Sequence, residues 1–124
     1  MDAMIGARFH LDTNVIIGLL EGPGAARALL DAHGATTATP AVSQITRIEL
    51  LSFQALTGDD EARIRTSLAA FPIVLLDAAV EEATIALRRR TKLKLPDAIV
   101  AASASVHGLK LLTLDQQLES ISSG

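Results

Sequence analysis

The chain turns on Phe9-His10-Leu11-Asp12-Thr13-Asn14-Val15-Ile16-Ile17, where a mostly apolar run meets three polar side chains and then becomes apolar again. The first part reads as a buried parallel strand over residues 8–11. The last part reads as a helix through Val15, Ile16, Leu19 and Leu20, which Thr13 or Asn14 can cap. An acid at the carboxyl end of a first strand stands where open α/β sheets keep their ligand crevice.

Outward from that segment, helical and strand-like stretches alternate. Glu21-Gly22-Pro23-Gly24 breaks the first helix, and Ala25 to Ala32 forms the next, ending near Gly34. Thr36 to Val42 carries enough threonine and valine for a short strand, interrupted by Pro40. Ser43 can cap a helix to about Leu56, and Thr57-Gly58-Asp59-Asp60 leads into another from about Asp60 to Ala70. Ile73 to Leu76 is a third strand, and Asp77 caps a long helix toward Arg90. Pro96 or Asp97 opens a helix through Val106, with Gly108 as its terminator. Lys110 to Thr113 is a fourth strand, and Asp115 starts a short last helix. Such alternation predicts right-handed crossovers and a parallel sheet covered on both faces, an α/β domain of three layers, α/β/α.

Residues 1–124 suffice for one domain and are too few for two ordinary ones. Hydrophobic residues make up 49% of the chain and aromatic ones 2%, so the core must be aliphatic and alanine-rich, with Phe9, Phe53 and Phe71 as its only rings. No stretch has the length to span a bilayer or the form of a signal peptide, which predicts a soluble, cytoplasmic protein. Without cysteine, disulfides, thiolate metal sites and cysteine nucleophiles are excluded. A mean hydropathy of +0.37 in so small a chain predicts apolar surface covered by another subunit or partner.

The net charge of -3 speaks against bulk electrostatic attraction to nucleic acid. Its distribution is more informative. Arg88, Arg89, Arg90, Lys92 and Lys94 place five of the eleven basic residues directly before Leu95-Pro96-Asp97. These cations read either as a solvated helix end complementing the dipole or as phosphate contacts beside an acidic site.

Four acids from separate segments are candidates for that site: Asp12, Glu49, Asp97 and Asp115. Asp12 and Asp115 each follow a short aliphatic strand, so neighbouring parallel strands would deliver both to one edge. Glu49 lies on or beside the apolar stripe of its helix, where an ionised carboxylate needs a partner such as a cation. Asp97 falls in the first turn of its helix and can point along the sheet edge toward Asp12. Each acid alone has a plainer reading: Asp12, Asp97 and Asp115 as caps or turn residues, and Glu49 as a surface residue. Together they would repel one another and raise each other's pKa unless a cation neutralises them. Oxygen ligands without cysteine or suitably spaced histidines favour Mg²⁺ or Mn²⁺ over Zn²⁺. Such an ion acidifies bound water and stabilises charge on a phosphoryl oxygen, the chemistry of phosphodiester hydrolysis. His10 shares strand parity with Asp12 and could orient it, while His33 and His107 read as helix-end residues. Ser43, Ser103 and Ser105 lack a nucleophile-elbow or Ser-His-Asp context.

Leu11-Asp12-Thr13-Asn14-Val15-Ile16, Thr46-Arg47-Ile48-Glu49-Leu50-Leu51, Leu95-Pro96-Asp97-Ala98-Ile99-Val100-Ala101-Ala102 and Leu111-Leu112-Thr113-Leu114-Asp115 together resemble a PIN domain. In length and motif order the chain is similar to the VapC-type ribonuclease toxins of toxin-antitoxin modules. The resemblance implies a PIN-like sheet of four or five strands and a Mg²⁺- or Mn²⁺-dependent endoribonuclease. It places Asp12, Glu49, Asp97 and Asp115 as catalytic residues, with Asp12, Asp97 and Asp115 as metal ligands. Thr13, Asn14 and Thr113 match supporting polar positions. It further implies a homodimer, an RNA substrate and a cognate antitoxin whose carboxy-terminal segment fills the groove by the acids. Where family members often carry an aromatic residue three after the last acid, this chain has Leu118. Two other functions compete. One is a catalytically silent PIN-like interaction module. The other is a phosphoacceptor receiver domain, which would want paired acids after its first strand where Asp12 stands alone.

Overall fold

The computed structural model describes residues 7–35 and 40–123. Four strands, β1 (Phe9–Leu11), β2 (Ala41–Ser43), β3 (Ile73–Val74) and β4 (Lys110–Leu112), form one sheet in the order β3-β2-β1-β4, all parallel. The helices are α1 (Thr13–Glu21), α2 (Ala25–Ala32), α3 (Gln44–Leu51), α4 (Gly58–Leu68), α5 (Ala78–Arg90), α6 (Leu95–Val106) and α7 (Gln116–Ser123).

Side-chain parity divides the core into two layers. Phe9 and Leu11 of β1, Val42 of β2 and Leu112 of β4 pack with Val15 and Ile16 of α1, Ala26 and Leu30 of α2, Leu50 of α3, and Ile64 and Leu68 of α4. The alternate strand positions, Ala41 and Leu111, pack on the α5–α6 side with Leu87, Val100 and Ala104 or with Val80, Ile99 and Ala102. Alanine is what permits this closeness. At the α1–α2 contact the requirement is stricter still: a Cβ at Gly18 would lie 2.7 Å from the Ala26 Cβ. Leu118 of α7 is fully buried beside Leu111, so an aliphatic side chain fills that corner.

Several boundaries differ from the sequence reading. Asp12, rather than Thr13 or Asn14, is the N-cap of α1, its carboxylate accepting from the Thr13 backbone N–H. The helix capped by Ser43 stops at Leu51, short of Leu56, and β3 stops at Val74, leaving Leu75 and Leu76 exposed. The α4 helix starts at Gly58, because Thr57 and Asp60 form a reciprocal capping box. The α6 helix starts at Leu95, with Pro96 in its first turn. The strand expected over Thr36 to Val42 is β2, displaced to residues 41–43 with Pro40 just ahead of it, and residues 36–39 of that expectation lie outside the described residues. Gly108 does close α6, at a φ of +65° that side chains rarely adopt. Among the described residues the sheet has four strands, and no helix is long and apolar enough to cross a membrane.

The strand order carries a functional consequence. From β1 the chain moves outward through β2 to β3, then returns to place β4 on the other side of β1. The direction of winding therefore reverses between β1 and β4, and a crevice opens beyond their carboxyl ends.

Candidate functional site

Asp12 leaves β1 at that crevice, and Thr113, Leu114 and Asp115 leave β4 beside it. The Asp12 backbone N–H extends the strand pairing by donating to the Leu112 carbonyl at 3.0 Å. The Thr113 hydroxyl donates to Asp12 Oδ2 at 2.6 Å, and Asp12 Oδ1 accepts from the Thr13 N–H at 2.8 Å. Asn14 ties the same loop down: its Nδ2 donates to Thr113 Oγ1 at 3.4 Å and its Oδ1 accepts from the Leu114 N–H at 3.1 Å. The carboxylate at the end of β1 is thus fixed by a side chain from the end of β4, 101 residues away.

The other acids arrive from three directions. Asp115 is exposed and caps α7, its Oδ1 accepting from the N–H groups of Gln117 and Leu118. Its own N–H donates to Thr113 Oγ1 at 3.0 Å, which links it to the Asp12 network. Glu49, half-buried on α3, takes the Thr13 hydroxyl on Oε1 at 2.8 Å. Within the chain, the partner of Glu49 is this hydroxyl. Asp97, half-buried in the first turn of α6, accepts no hydrogen bond from any described residue.

The acids feel one another's charge, with Asp12 common to the pairs. Burial pushes the Asp12 carboxyl up from 3.8, an effect opposed by the Thr113 and Thr13 hydrogen bonds and reinforced by the charges of Glu49 and Asp115. Asp97 is likewise raised, by burial first and then by Asp12 and Asp115, with Lys94 pulling the other way. Among the described residues no Lys, Arg or His side chain forms an ion pair with any of the four.

A divalent ion is what this family resemblance implies, and the donor set suits a hard one: carboxylate and hydroxyl oxygens, no cysteine, and no histidine among the contacts. The side chains are not drawn into a closed ligand shell. Among the described residues no group of three or more His, Cys, Asp or Glu is arranged to hold a metal ion. The fit therefore rests on donor chemistry and on unneutralised like charge at Asp12 and Asp97.

The remaining expectations resolve individually. His10 does not orient Asp12. It is fully buried on the α5–α6 face of the sheet, paired with Ala41 and Leu111, and neither ring nitrogen has a hydrogen-bond partner among the described residues. His33 and His107 stand at the C-caps of α2 and α6, as helix-end residues should. Arg88, Arg89 and Arg90 form the exposed last turn of α5, and Lys92 and Lys94 are exposed in the loop leading to Asp97. Arg90 also borders a cleft of about 520 Å³ between α5, the second half of α6, β4 and α7, which contains none of the four acids. Sequence reasoning missed Thr46, a fully buried threonine whose hydroxyl lies 2.9 Å from that of Thr13. Its position one helical turn before Glu49 was the available signal.

A protein-family model described as PIN domain matches residues 10–123. A chain in a solved toxin-antitoxin complex from Klebsiella pneumoniae is 36% identical, with 87% of each chain covered and a TM-score of 0.75. FitAcB from Neisseria gonorrhoeae is 24% identical over 93% of each chain at a TM-score of 0.69. VapBC2 from Rickettsia felis, bound to a DNA fragment from its promoter, is 16% identical over 91% of this chain and 92% of that one at 0.70. At those two lower identities the likeness concerns the fold. No curated protein sequence matches the chain significantly.

Proposed function

Because this chain belongs to the PIN domain family, we propose that it is a Mg²⁺- or Mn²⁺-dependent endoribonuclease and the toxin of a toxin-antitoxin pair. The observation that supports this best is the charge coupling of Asp12 with Glu49, Asp97 and Asp115 at the β1–β4 crevice, where no described Lys, Arg or His forms an ion pair with any of them and Lys94 offsets only part of the effect on Asp97. Their mutual repulsion is the electrostatic condition that a divalent cation relieves.

In this reading Asp12, Asp97 and Asp115 would hold the ion. When bound, it would supply charge for the phosphoryl oxygens and lower the pKa of water. The chain's own residues do the rest. Thr113 and the Thr13 N–H keep both Asp12 oxygens in place, each with lone-pair capacity to spare. Asp115 commits Oδ1 to the α7 cap and leaves Oδ2 for the site. Hydrolysis adds water across a P–O bond, so the attacking water loses a proton and the leaving oxygen regains one. Glu49, held through Oε1 by Thr13, accepts that first proton on Oε2.

The acids repel a polyanion, so approach depends on positive charge. Lys94 and Lys92 lead into the turn that carries Asp97, and Arg88 to Arg90 continue the basic run along α5. We assign these five residues to the RNA backbone, which fixes register without reading sequence.

Partners follow the same logic. Ile48, Leu95 and Leu114, on the segments that carry Glu49, Asp97 and Asp115, are 54%, 50% and 42% exposed, apolar surface that a partner would cover. An antitoxin segment in this groove, and a second copy of the chain, are the occupants we propose. The 36% identical relative from a toxin-antitoxin complex supports the first.

Purified, partner-free protein incubated with defined RNAs tests the activity. Internal cleavage is expected with Mg²⁺ or Mn²⁺ and its loss with chelator. Folded protein that cleaves nothing under any metal would overturn the nuclease reading in favour of a silent interaction module.

A further inference from the structure

Buried hydroxyls in helices can spend their proton on the carbonyl one turn back, and two here do so: Thr84 on Val80 and Ser103 on Ile99. Thr46 is different. It is fully buried on α3, yet its hydroxyl is directed sideways to Thr13 Oγ1, 2.9 Å away, on a different helix. Thr13 Oγ1 in turn lies 2.8 Å from Glu49 Oε1.

The direction of this chain follows from proton count. A threonine hydroxyl has one proton, and an ionised carboxylate can only accept. Thr13 therefore donates to Glu49, its oxygen faces Thr46 as an acceptor, and Thr46 must be the donor. We propose that Thr46 is a positioning residue: the directed chain Thr46 to Thr13 to Glu49 fixes one Glu49 oxygen and leaves the other uncommitted for the reaction. The role rests on the reading of Glu49 as proton acceptor.

Three features make Thr46 suited to it. Its β-branched side chain has restricted χ1 freedom in a helix, so few positions are open to the hydroxyl. Ser43 caps that helix at β2, which ties its first turn to the sheet. Hydrogen bonds in series also polarise one another, so the donor at the far end strengthens the contact at Glu49. Glu49 itself has long side-chain freedom and no ion-pair partner among the described residues, so nothing else of comparable strength holds it.

The test compares Thr46→Val, nearly isosteric without the hydroxyl, with Thr46→Ser, which restores it. In RNA cleavage with saturating Mn²⁺, Thr46→Val should lower kcat about tenfold with KM nearly unchanged, the value of one hydrogen bond to a charged acceptor chain. Thr46→Ser should recover most of it. The side-chain carboxyl ¹³C resonance of Glu49, read without metal, should move in Thr46→Val and return in Thr46→Ser. Wild-type kcat in Thr46→Val, an unmoved Glu49 resonance, or failure of Thr46→Ser to rescue would each overturn the proposal. Wild-type protein that cleaves no RNA would remove the nuclease reading instead, while the Glu49 resonance still reports whether the hydroxyl chain exists.

Discussion

Replacing Asp12 by Asn should reduce RNA cleavage at least about a thousandfold while leaving the fold as stable as before or more so. The two halves of this outcome come from different atoms. Asn keeps an oxygen for the Thr13 N–H, and it caps helices as well as Asp does, so α1 loses nothing. What disappears is a buried negative charge, together with the oxygen that accepts from the Thr113 hydroxyl. Burial and the neighbouring acids raise the Asp12 carboxyl above 3.8, so the ionised form is less favourable in the folded chain than in the unfolded one. That cost is absent at low pH, where the acid is protonated, and appears as pH rises through the carboxylate range. Chemical denaturation of wild type and variant across that range should therefore give curves that separate as pH rises, with the variant above. Asp97→Asn should behave in the same way, since Asp97 is raised by burial and by the same neighbours. A cleaving Asp12→Asn protein, or one that is inactive only because it is unfolded, would reduce Asp12 to an ordinary helix cap.

The opposite pH limb belongs to His10. Its imidazole is fully buried, neither nitrogen is hydrogen-bonded among the described residues, and burial, with His107 adding to it, pulls its pKa from 6.5 to about 4. The folded protein thus holds His10 neutral where the unfolded chain would protonate it. Stability is complete above 6.5 and falls as pH drops from there to about 4, a loss of about 3 kcal/mol at about 1.4 kcal/mol per pH unit. His10→Leu removes both orphaned nitrogens and should add about 1–3 kcal/mol at neutral pH. It should also abolish the acid limb. Denaturation midpoints from pH 4 to 8 read both effects, and the His10 ring resonance gives the titration directly in the wild type. Identical pH dependence in the two proteins, together with a ring that titrates near 6.5, would contradict this account.

His10 also shows where the sequence stops being informative. Its strand parity with Asp12 was correct, but parity says only which face a side chain takes. The register that sets it between Ala41 and Leu111, deep under α5 and α6, depends on strands far away in the chain. Elements with local signals were legible. Asp77 caps α5 and Gly108 ends α6 because each acts on the adjoining turn. Apolar runs found β1 and β4 because buried parallel strands are continuous in hydrophobicity. The end of α3 was misplaced by about a turn, since Leu56 continues the apolar pattern although Ser52 already leaves the helix.

The acids divide in the same way. Asp12 and Asp115 could be placed because both follow strands. Glu49 is expected on or beside the apolar stripe of its helix with a partner such as a cation, and within the chain it meets a hydroxyl. The Thr13 and Thr46 hydroxyls that hold it come from two helices, α1 and α3, and their meeting is a tertiary event. The order β3-β2-β1-β4 explains why the crevice exists at all: it brings the ends of the first and fourth strands together at the point where the winding reverses. The PIN domain match over residues 10–123 agrees with that topology and leaves no place for a receiver domain.

Calorimetric titration of the partner-free protein with Mn²⁺ at neutral pH, repeated on Asp12→Asn and Asp97→Asn, bears most directly on the shared-cation site. Wild type should bind saturably and gain about 2.7 kcal/mol of stability at a free metal concentration of about 100 Kd. Both variants should lose that binding while remaining folded. Wild type that takes up no metal, or an Asp97→Asn protein that binds as tightly as wild type, would contradict it.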